Sequence, residues 1–413
     1  MNWVWSFLDM RYSRLEHIVT SGNIIEKGKR KIYKVLLEYP FGKLMYLFPI
    51  KANRIVIDNF GGKGYGDSTK YIAEGLIRKN CQYDIIWLVD NLASYSFPPQ
   101  IKPVKIDSLQ ALYMRATAKV WIDNVRHLHP VRKKKQQIYL QAWHAPFGPK
   151  KAEADAEAEL GEKYVKEAKY DGQIADGIIS NSKLLDNQFR RAFWLSENVE
   201  ILKFGLPRND FLAQRIGDVE EYKHFREKFK FDNESLYVLY APTFRDDYSL
   251  DGYRLEFEKI ADAFSKRFNK KVKIVVRLHP NAALQSGFIN YTDNIINGTI
   301  YQDMQELSLA CDIIISDYSS CVFDFAILKK PVFICALDLK TYEKKRGLLP
   351  EFFGFPFPMA ESNEQLIKNI LRFDPKTYFD KVDKYFEKYP IYDNGDATEK
   401  TVEWIQKKIG ENR

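Results

Sequence analysis

Strand-length hydrophobic runs alternate with longer helix-prone stretches along the first half of the chain. The runs are rich in β-branched residues and end in polar or glycine-containing loops, at 54–59, 83–90, 118–124, 137–143, 177–180 and 199–204. Helix-prone stretches such as 68–79 and 182–194 lie between them. This alternation predicts parallel strands that are joined by helical crossovers.

The same pattern begins again after a charged stretch at 214–233, which we interpret as the linker. Strands are predicted at 236–241, 272–278, 311–316 and 331–336, and helices at 255–268 and 397–409. We therefore expect an α/β protein with two Rossmann-like, doubly wound domains that face a cleft. They comprise residues 51–212 and residues 213–413, the second including the terminal helix. Ligands of such folds bind beyond the carboxyl ends of the strands.

The composition is that of a globular protein, with 413 residues of which 45% are hydrophobic and 29% are charged. A net charge of +8 suits an anionic partner, such as a nucleotide, a nucleic acid, a polyphosphate or a membrane face. A stretch at 152–169, rich in Ala, Glu and Lys, is expected to form a solvated helix.

The four cysteines form no CxxC pair. Cys311, Cys321 and Cys335 lie in apolar runs, where a cysteine usually behaves as a small buried hydrophobe. We therefore expect neither a disulfide framework nor a zinc site. A reducing, cytoplasmic setting fits this cysteine usage.

Residues 1–50 carry no recognisable secretory signal, because Asp9 and Arg11 come early and no long apolar stretch follows. The apolar stretch at 35–50 is interrupted by charged residues, proline and glycine, so it is a poor transmembrane span. Two interpretations stay open for this segment. Its aromatic residues and intervening lysines contact a membrane surface, or the aromatics pack on the domain and the lysines are solvated.

Two histidines stand directly after predicted strands, where a histidine can take a proton from an attacking hydroxyl. His144 follows the strand at 137–143, and His279 follows the strand at 272–278. A histidine at a strand end can also serve only as a cap or a packing residue. Two of them at equivalent strand ends of successive domains, each beside basic residues, favour a catalytic function.

The stretch at 316–324 joins an apolar strand to an apolar helix through small hydroxylated residues. A helix that begins there directs free backbone N–H groups at an anion, and Ser319 and Ser320 add hydroxyl donors. Capping by Asp317 or Ser319 would use the same N–H groups and is compatible with phosphate binding.

Two other loops after predicted strands carry polar groups. Thr243 and Arg245 are candidates to hold a phosphate. The neighbouring acids Asp246 and Asp247 would diverge on a helix or a strand and have no evident third ligand, so we expect a site without metal. The glycines of 61–66 fit Gly-x-Gly-x-x-Gly at no offset, which argues against a dinucleotide fingerprint. We expect a flexible loop that faces the cleft.

Taken in order, these motifs resemble the CDP-glycerol glycerophosphotransferase family, whose members prime or polymerise wall teichoic acids and build related capsule polymers. The resemblance spans roughly 57–347 and rests on an ordered set of segments, each weak alone: the Trp-His loop at 143–144, 205–210, 240–247, Arg-Leu-His-Pro at 277–280, and 316–346. It implies a glycosyltransferase-B-like fold, with the acceptor bound by the N-terminal domain and the CDP donor mainly by the C-terminal domain.

The resemblance also implies roles for the candidate residues. His144 would be the general base on the acceptor hydroxyl, and His279 would contact the diphosphate and ease the departure of CMP. The donor diphosphate or nucleotide would be bound by Arg277, Thr243, Arg245, Ser319, Ser320 and Asp317. Candidate acceptor or phosphate contacts are Lys150, Arg208 and Tyr65. The expected donor is CDP-glycerol, with no cofactor and no metal.

The expected reaction transfers glycerol-phosphate from CDP-glycerol to a hydroxyl of a lipid-linked or polymeric saccharide or polyol-phosphate acceptor. The expected location is the cytoplasm, peripherally on the cytoplasmic face of the cell membrane. The basic cluster at 132–135 would attract the anionic acceptor or the inner leaflet, or it is simply a solvated loop.

One segment departs from the family pattern. Family members usually continue the Trp-His pair with Gly-Thr-Pro, whereas this chain has Ala-Pro-Phe-Gly-Pro-Lys at 145–150. The departure bears on the acceptor more than on the reaction type. Alternatives are a CDP-ribitol-dependent transferase, a nucleotide-sugar glycosyltransferase of the same fold, and a non-catalytic nucleic-acid-binding or scaffold protein. The last is disfavoured because no nucleic-acid-binding module is evident.

Overall fold

The computed structural model describes residues 44–79, 82–127, 131–245, 249–278, 289–301 and 303–411. The first seven strands in this part of the chain are β1 (Lys51–Asp58), β2 (Asp84–Val89), β3 (Ile101–Lys105), β4 (Ala118–Asp123), β5 (Ile138–Gln141), β6 (Gly177–Ile179) and β7 (Glu200–Leu202). They form one parallel sheet in the order β3-β2-β1-β4-β5-β6-β7.

A second parallel sheet follows in the order β10-β9-β8-β11-β12-β13. Its strands are β8 (Leu236–Tyr240), β9 (Val272–Val276), β10 (Ile295–Asn297), β11 (Ile313–Ser316), β12 (Val332–Cys335) and β13 (Met359–Ala360). In both sheets the strand order reverses once, between β1 and β4 and between β8 and β11. Such a reversal opens a crevice at the carboxyl ends of the strands. The expected pair of doubly wound domains is confirmed.

Helices cover the faces of both sheets in the described ranges. They are α1 (Asp67–Arg78), α2 (Leu109–Thr117), α3 (Glu162–Ile174), α4 (Lys183–Ala192), α5 (Asp210–Ala213), α6 (Val219–Lys228), α7 (Phe257–Phe268), α8 (Met304–Ala310), α9 (Cys321–Ile327), α10 (Leu339–Arg346), α11 (Asn363–Leu371), α12 (Pro375–Lys388) and α13 (Ala397–Glu411). None of them is both long and apolar enough to cross a bilayer. Because helices pack on both faces, the central strands are apolar throughout, as in the fully buried Ile55–Val56–Ile57 of β1.

Three strands, β3, β10 and β13, were not predicted from the sequence, for physical reasons. The strand β3 contains Pro103, which a sheet tolerates at its edge because the missing N–H faces away from the ladder. The strands β10 and β13 have three and two residues, too few to show a period.

The stretch at 152–169 does not form the expected single solvated helix. A 3₁₀ helix at Glu153–Glu159 is followed by Gly161 and then by α3. Two of its acids, Glu153 and Glu167, are buried and pair with cations. The Glu153 carboxylate accepts two hydrogen bonds from Arg126, at 3.2 and 3.1 Å, and Glu167 is held by Arg132 at 2.9 Å. These two acids therefore belong to the packed interior of the domain.

The terminal helix corrects the expected boundary between the domains. Helix α13 packs on the first sheet, and its Val402, Trp404 and Ile405 belong to the core formed by β1, β2 and β4. The Trp404 indole also donates a hydrogen bond to Glu200 of β7 at 3.1 Å. Residues 213–413 therefore do not form one separate unit, because the last helix returns to cover an apolar face of the N-terminal domain.

Residues 1–43 lie outside the described part of the chain, so the question of membrane contact is open for most of the N-terminal segment. Of its aromatic residues, Phe48 packs edge-on against Tyr113, with 5.2 Å between the ring centroids. The Phe48 carbonyl also accepts a hydrogen bond from the Lys134 ammonium. Within the basic cluster at 132–135, Lys133 pairs with Asp176 at 3.0 Å. Phe48 thus contacts the domain on one side, while Leu44, Tyr46, Leu47 and Phe48 remain exposed to solvent. Both interpretations of the segment therefore stay open.

Candidate active site

The imidazole of His144 is held in one tautomer. Its Nδ1 lies 2.8 Å from the carbonyl oxygen of Asn124, just beyond strand β4. A carbonyl oxygen only accepts hydrogen bonds, so Nδ1 carries the proton and Nε2 of the neutral ring carries the lone pair. The described residues give Nε2 no hydrogen-bond partner. The ring is therefore set up to accept a proton at Nε2.

The environment of His144 favours the neutral, basic form. Burial lowers the pKa of His144 below its ordinary value of 6.5, and the positive charges of Arg208 and Lys150 lower it further. The Asn124 carbonyl and the charge of Asp67 oppose this shift without reversing it. A neutral imidazole at neutral pH is what a general base requires.

Asn59 and Asn124, which were not among the predicted site residues, connect the loops after β1 and β4 beside His144. The Asn124 side chain donates to Asn59 Oδ1 at 2.8 Å and accepts from the Phe60 amide at 2.7 Å. The signal was present in the sequence, because β1 and β4 both end in Ile-Asp, are each followed by Asn, and pair Asp58 with Asp123. The repeated tripeptide thus ties the loop after one strand to the loop after its neighbour.

The backbone around His144 is strained. Trp143 and Phe60 both have a φ of 48°, in the left-handed region that residues other than glycine seldom adopt. Their rings flank the imidazole, with centroids 4.3 and 5.5 Å from that of His144. Strain of this kind persists only where surrounding contacts impose it, and it is concentrated at functional sites.

Arg208 joins the two domains beside His144. Its guanidinium donates to Asp67 of α1 at 2.6 Å and to Asp324 of α9 at 2.7 Å. It also donates to the His144 carbonyl at 2.7 Å. Asn209 adds a bond to Asp324 at 2.9 Å. Two carboxylates and a carbonyl engage the terminal nitrogens of Arg208, whereas its buried Nε has no hydrogen-bond partner among the described residues. These contacts hold the loop of His144, and the expected contact of Arg208 with the acceptor or a phosphate stays a prediction.

The loop that departs from the family pattern bridges the domains. The Pro149 carbonyl accepts a hydrogen bond from the Leu349 amide at 2.7 Å, and Lys150 pairs with Leu348 in an antiparallel bridge. Phe147 is buried against Phe323 of α9, with 6.5 Å between the ring centroids. These unusual residues therefore attach the loop of His144 to the C-terminal domain. Lys150 also lies close enough to lower the pKa of His144.

The two serines of the C-terminal domain face this loop. Ser319 and Ser320 are half-buried at the start of α9. The Ser319 hydroxyl accepts a hydrogen bond from the Cys321 amide at 3.3 Å, and Ser320 makes no side-chain cap. A Cβ added to Gly148 would lie 3.6 Å from that of Ser320. The serines and His144 thus belong to facing loops of the two domains.

Arg245 and Asp317 have a different role from the expected phosphate contact. The Arg245 guanidinium donates to Asp317 at 2.8 Å and to both oxygens of Asp338, at 2.7 and 2.9 Å. Asp317 also accepts the Thr243 amide at 2.8 Å. Both side chains are buried, and the two carboxylates neutralise the cation, so little attraction for a phosphate remains. This network fixes the loops after β8, β11 and β12.

Thr243 retains a group that suits a ligand. Its hydroxyl is buried and has no hydrogen-bond partner among the described residues. An unmet buried hydroxyl is costly, and a phosphate oxygen would satisfy it. Nearby along the sheet edge, Arg277 follows β9 and donates to the Tyr301 carbonyl at 3.1 Å. Burial lowers the pKa of Arg277.

The described partners of Tyr65 all lie in the N-terminal domain. Its hydroxyl donates to Glu74 at 3.1 Å, and its ring packs against Trp87 and Phe97. The loop that precedes Tyr65 is attached to the end of β1, since the Gly62 amide donates to Asp58 at 2.8 Å. Three candidates lie outside the described residues: His279, Asp246 and Asp247.

The arrangement combines a neutral imidazole, hydroxyl and amide donors, and arginines at the edges of two facing sheets. In the ranges that the structure covers, no three His, Cys, Asp or Glu side chains are grouped to hold a metal ion. Such a set can deprotonate a hydroxyl on one side and bind an anionic leaving group on the other.

Comparison with known proteins places this geometry in context. The family model described as CDP-glycerol:poly(glycerophosphate) glycerophosphotransferase matches residues 41–407. The chain is 32% identical over 377 residues to the teichoic acid poly(glycerol phosphate) polymerase of Staphylococcus epidermidis, which covers 88% of this chain and 52% of that protein. It therefore spans about half of that relative. A polymerase of the same description from Bacillus spizizenii is 26% identical, over 90% of this chain and 95% of its own.

A solved structure is similar over nearly the whole chain. It is that of the wall teichoic acid polymerase TagF, as a histidine-to-asparagine variant soaked with CDPG. The TM-score is 0.79 at 29% identity, covering 94% of this chain and 98% of that one. The likeness extends across both sheets.

Proposed function

This chain belongs to the CDP-glycerol:poly(glycerophosphate) glycerophosphotransferase family, and from that premise we propose that it transfers glycerol-phosphate from CDP-glycerol to a hydroxyl of a teichoic-acid-type acceptor. The observation that carries the proposal is the tautomer of His144, whose Nε2 is free to take a proton between the two domains.

The reaction is an in-line displacement at phosphorus. The acceptor oxygen attacks the β-phosphorus of CDP-glycerol while Nε2 of His144 takes the hydroxyl proton. A new phosphodiester bond forms, the bond between the β-phosphorus and the bridging oxygen breaks, and CMP leaves. Because His144 is held by Asn124 and its carbonyl by Arg208, the base meets the acceptor without further ordering.

The C-terminal domain supplies the donor site in this proposal. The Thr243 hydroxyl, together with Ser319 and Ser320, would donate to the diphosphate oxygens, and Arg277 would offset their charge. His279, outside the described residues, would assist the departure of CMP. The network of Arg245, which holds Asp317 and Thr243, sets the distance between these donors.

The direct test is release of CMP from purified protein. CDP-glycerol, CDP-ribitol and a panel of nucleotide sugars would each be offered with glycerol-phosphate and lipid-linked disaccharide acceptors. We expect acceptor-dependent CMP release with CDP-glycerol and a phosphodiester product. Release with CDP-ribitol alone would reassign the donor. Turnover only with a nucleotide sugar, giving a glycoside, would contradict phosphoryl transfer.

The acceptor and the location are finer parts of the proposal. We infer a lipid-linked or polymeric polyol-phosphate acceptor and a peripheral position on the cytoplasmic face of the cell membrane. The aromatic and basic residues of segment 1–50 support this placement. Deletion of residues 1–43 should move the protein from the membrane fraction to the soluble fraction. Unchanged fractionation would contradict that role.

A further inference from the structure

A cavity of about 900 Å³ lies in the C-terminal domain, outside the set of candidate active-site residues. It is bordered by residues 351–359 on one side and by helices α11 and α12 on the other. Its lining combines aromatic and apolar side chains with four cations. A cavity of this size and mixed character is typical of ligand sites.

Three of the cations form a row on helix α12. Lys381, Lys384 and Lys388 are spaced by three and four residues, so they share one face of the helix. At about 1.5 Å per residue they stand about 5 and 6 Å apart along the axis. Within the described residues none of the three has a carboxylate at salt-bridge distance. Arg372 adds a fourth positive charge to the lining.

The two acids of the lining do not cancel this charge. Asp374 is used as the N-cap of α12, where its carboxylate accepts a hydrogen bond from the Thr377 amide at 2.8 Å. Glu351 is the other acid. Four cations against two acids leave the cavity positive, and the repeat of the lysines suits an anion with regularly spaced charges.

The wall of the cavity also carries an unsatisfied polar group. The Tyr385 hydroxyl is buried and has no hydrogen-bond partner in the described part of the chain. Burial raises the pKa of Tyr385, so the hydroxyl stays protonated and can donate. A hydrocarbon ligand would leave this group and the lysines unmatched, whereas a phosphate oxygen accepts from both.

The cavity shares its wall with the candidate active site. The ring of Phe355 packs on Phe323 of α9, with 4.8 Å between centroids, and on Phe147 of the loop after His144, at 6.4 Å. Tyr385 stacks on the same Phe323 at 6.4 Å. A chain held in the cavity would therefore lie next to the elements that carry the serines and the base.

We propose that this cavity is an accessory binding site for a polyol-phosphate chain, with successive phosphodiesters on the lysine row of α12 and one of them on the Tyr385 hydroxyl. The identity of the chain rests on the proposed function, because the polymer would be its acceptor or product. Holding the chain there keeps its reactive end near the active site between additions.

The test compares two charge-matched triple variants of the full chain. The first is Lys381→Gln, Lys384→Gln and Lys388→Gln. The control is Lys163→Gln, Lys166→Gln and Lys270→Gln, which removes the same charge from exposed positions outside the cavity. Binding of a glycerol-phosphate oligomer is measured by titration calorimetry at several salt concentrations, and CMP release is measured with a short soluble acceptor.

We expect the first variant to bind the oligomer at least about tenfold more weakly, with the slope of log affinity against log salt reduced by about 2. The control should bind like the native chain. Turnover with the short acceptor should stay within about twofold in both. Tyr385→Phe should weaken oligomer binding without lowering the melting temperature, because its hydroxyl has no internal partner to lose.

Three outcomes would overturn the proposal. The two triple variants could lose the same affinity for the oligomer, or the native chain could bind a single-stranded DNA of the same charge as tightly as the oligomer. In the third outcome, the first triple variant binds the oligomer like the native chain but no longer binds detergent-dispersed polyisoprenyl phosphate. Failure of the proposed function is seen separately. A chain that releases no CMP from any donor, yet binds the oligomer with the losses above, would keep this site and lose the activity.

Discussion

Arg245 and Arg208 are both buried between two carboxylates, but they connect different parts of the protein. Arg245 pairs with Asp317 and Asp338, both of the C-terminal domain, and the rings of three tyrosines lie within 5.5 Å of its guanidinium carbon. Arg208 pairs with Asp67 of one domain and Asp324 of the other. The same ion-pair chemistry therefore braces a loop cluster in one place and joins two domains in the other.

The difference lies in what depends on each cation. Arg208 also donates to the His144 carbonyl, so a change at Arg208 is expected to displace the proposed base. Arg245 donates to the Thr243 carbonyl, and Thr243 belongs to the proposed donor site. Sequence position alone does not separate the two roles, because both arginines follow strands and stand near other polar residues.

The largest expected effect is on stability. Arg245→Ala should lower the free energy of unfolding by about 3–5 kcal/mol, because it leaves the buried Asp317 and the mostly buried Asp338 without a cation. Chemical denaturation measures this loss. The matched control is Arg254→Ala, whose exposed pair with Asp251 should contribute less than about 1 kcal/mol. Similar losses in the two variants would show that the Arg245 network is not a structural brace.

The next effect distinguishes the two arginines by kinetics. Arg208→Lys should reduce kcat by about 10²-fold, since one ammonium cannot hold Asp67, Asp324 and the His144 carbonyl together, and the base is misplaced. Arg245→Lys should mainly raise the KM for the donor. Steady-state CMP release over a range of donor concentrations separates the two. If both variants change the same kinetic parameter by the same factor, Arg208 and Arg245 do not have different roles.

A smaller effect is expected from removing the Thr243 hydroxyl. Thr243→Val should raise the donor KM about tenfold, the cost of one hydrogen bond to a charged group, and leave the melting temperature unchanged or higher. Thr117→Val is the control, because its hydroxyl donates to Tyr113 at 2.7 Å within the fold. That variant should melt earlier with an unchanged donor KM. A lower melting temperature for Thr243→Val would mean that the hydroxyl has an internal partner.

The smallest effect concerns pH. Activity should fall as the pH drops through a pKa below 6.5, because protonated His144 cannot act as a base and its pKa is lowered by burial. Lys150→Gln removes a positive charge near His144, which should raise the pKa of His144. The acidic limb of the profile of kcat/KM against pH should therefore move to higher pH. Lys270→Gln should leave it in place. A limb that moves to lower pH in Lys150→Gln would place the titrating group elsewhere.

Most of the fold could be predicted because parallel strands are short apolar runs. The runs at 236–241 and 118–124 coincide with β8 and β4 to within one residue at each end. The return of α13 to the first sheet could not be foreseen, since nothing local in residues 397–411 says which sheet their apolar face will cover. The break at Gly161 was hidden because the surrounding charges suit an exposed helix equally well.

Candidate residues could be predicted from the sequence only where their place directly after a predicted strand was the signal. His144 was selected as the candidate base because it follows a predicted strand, and β5 does end three residues before it. The roles of Arg208 and Arg245 could not be read, because their partners are distant: Asp67 and Asp324 lie 141 and 116 residues from Arg208. A buried, neutralised arginine and a phosphate-binding one look alike in sequence, and only the three-dimensional pairing separates them.

The most direct test of the role proposed for His144 is single-turnover release of CMP from CDP-glycerol by His144→Ala, with His224→Ala as control. His224 is exposed on α6 and belongs to no part of the site. We expect a loss of about 10²–10⁴-fold in His144→Ala at an unchanged melting temperature, with the control like the native chain. A folded His144→Ala variant that releases CMP at the native rate would contradict this role.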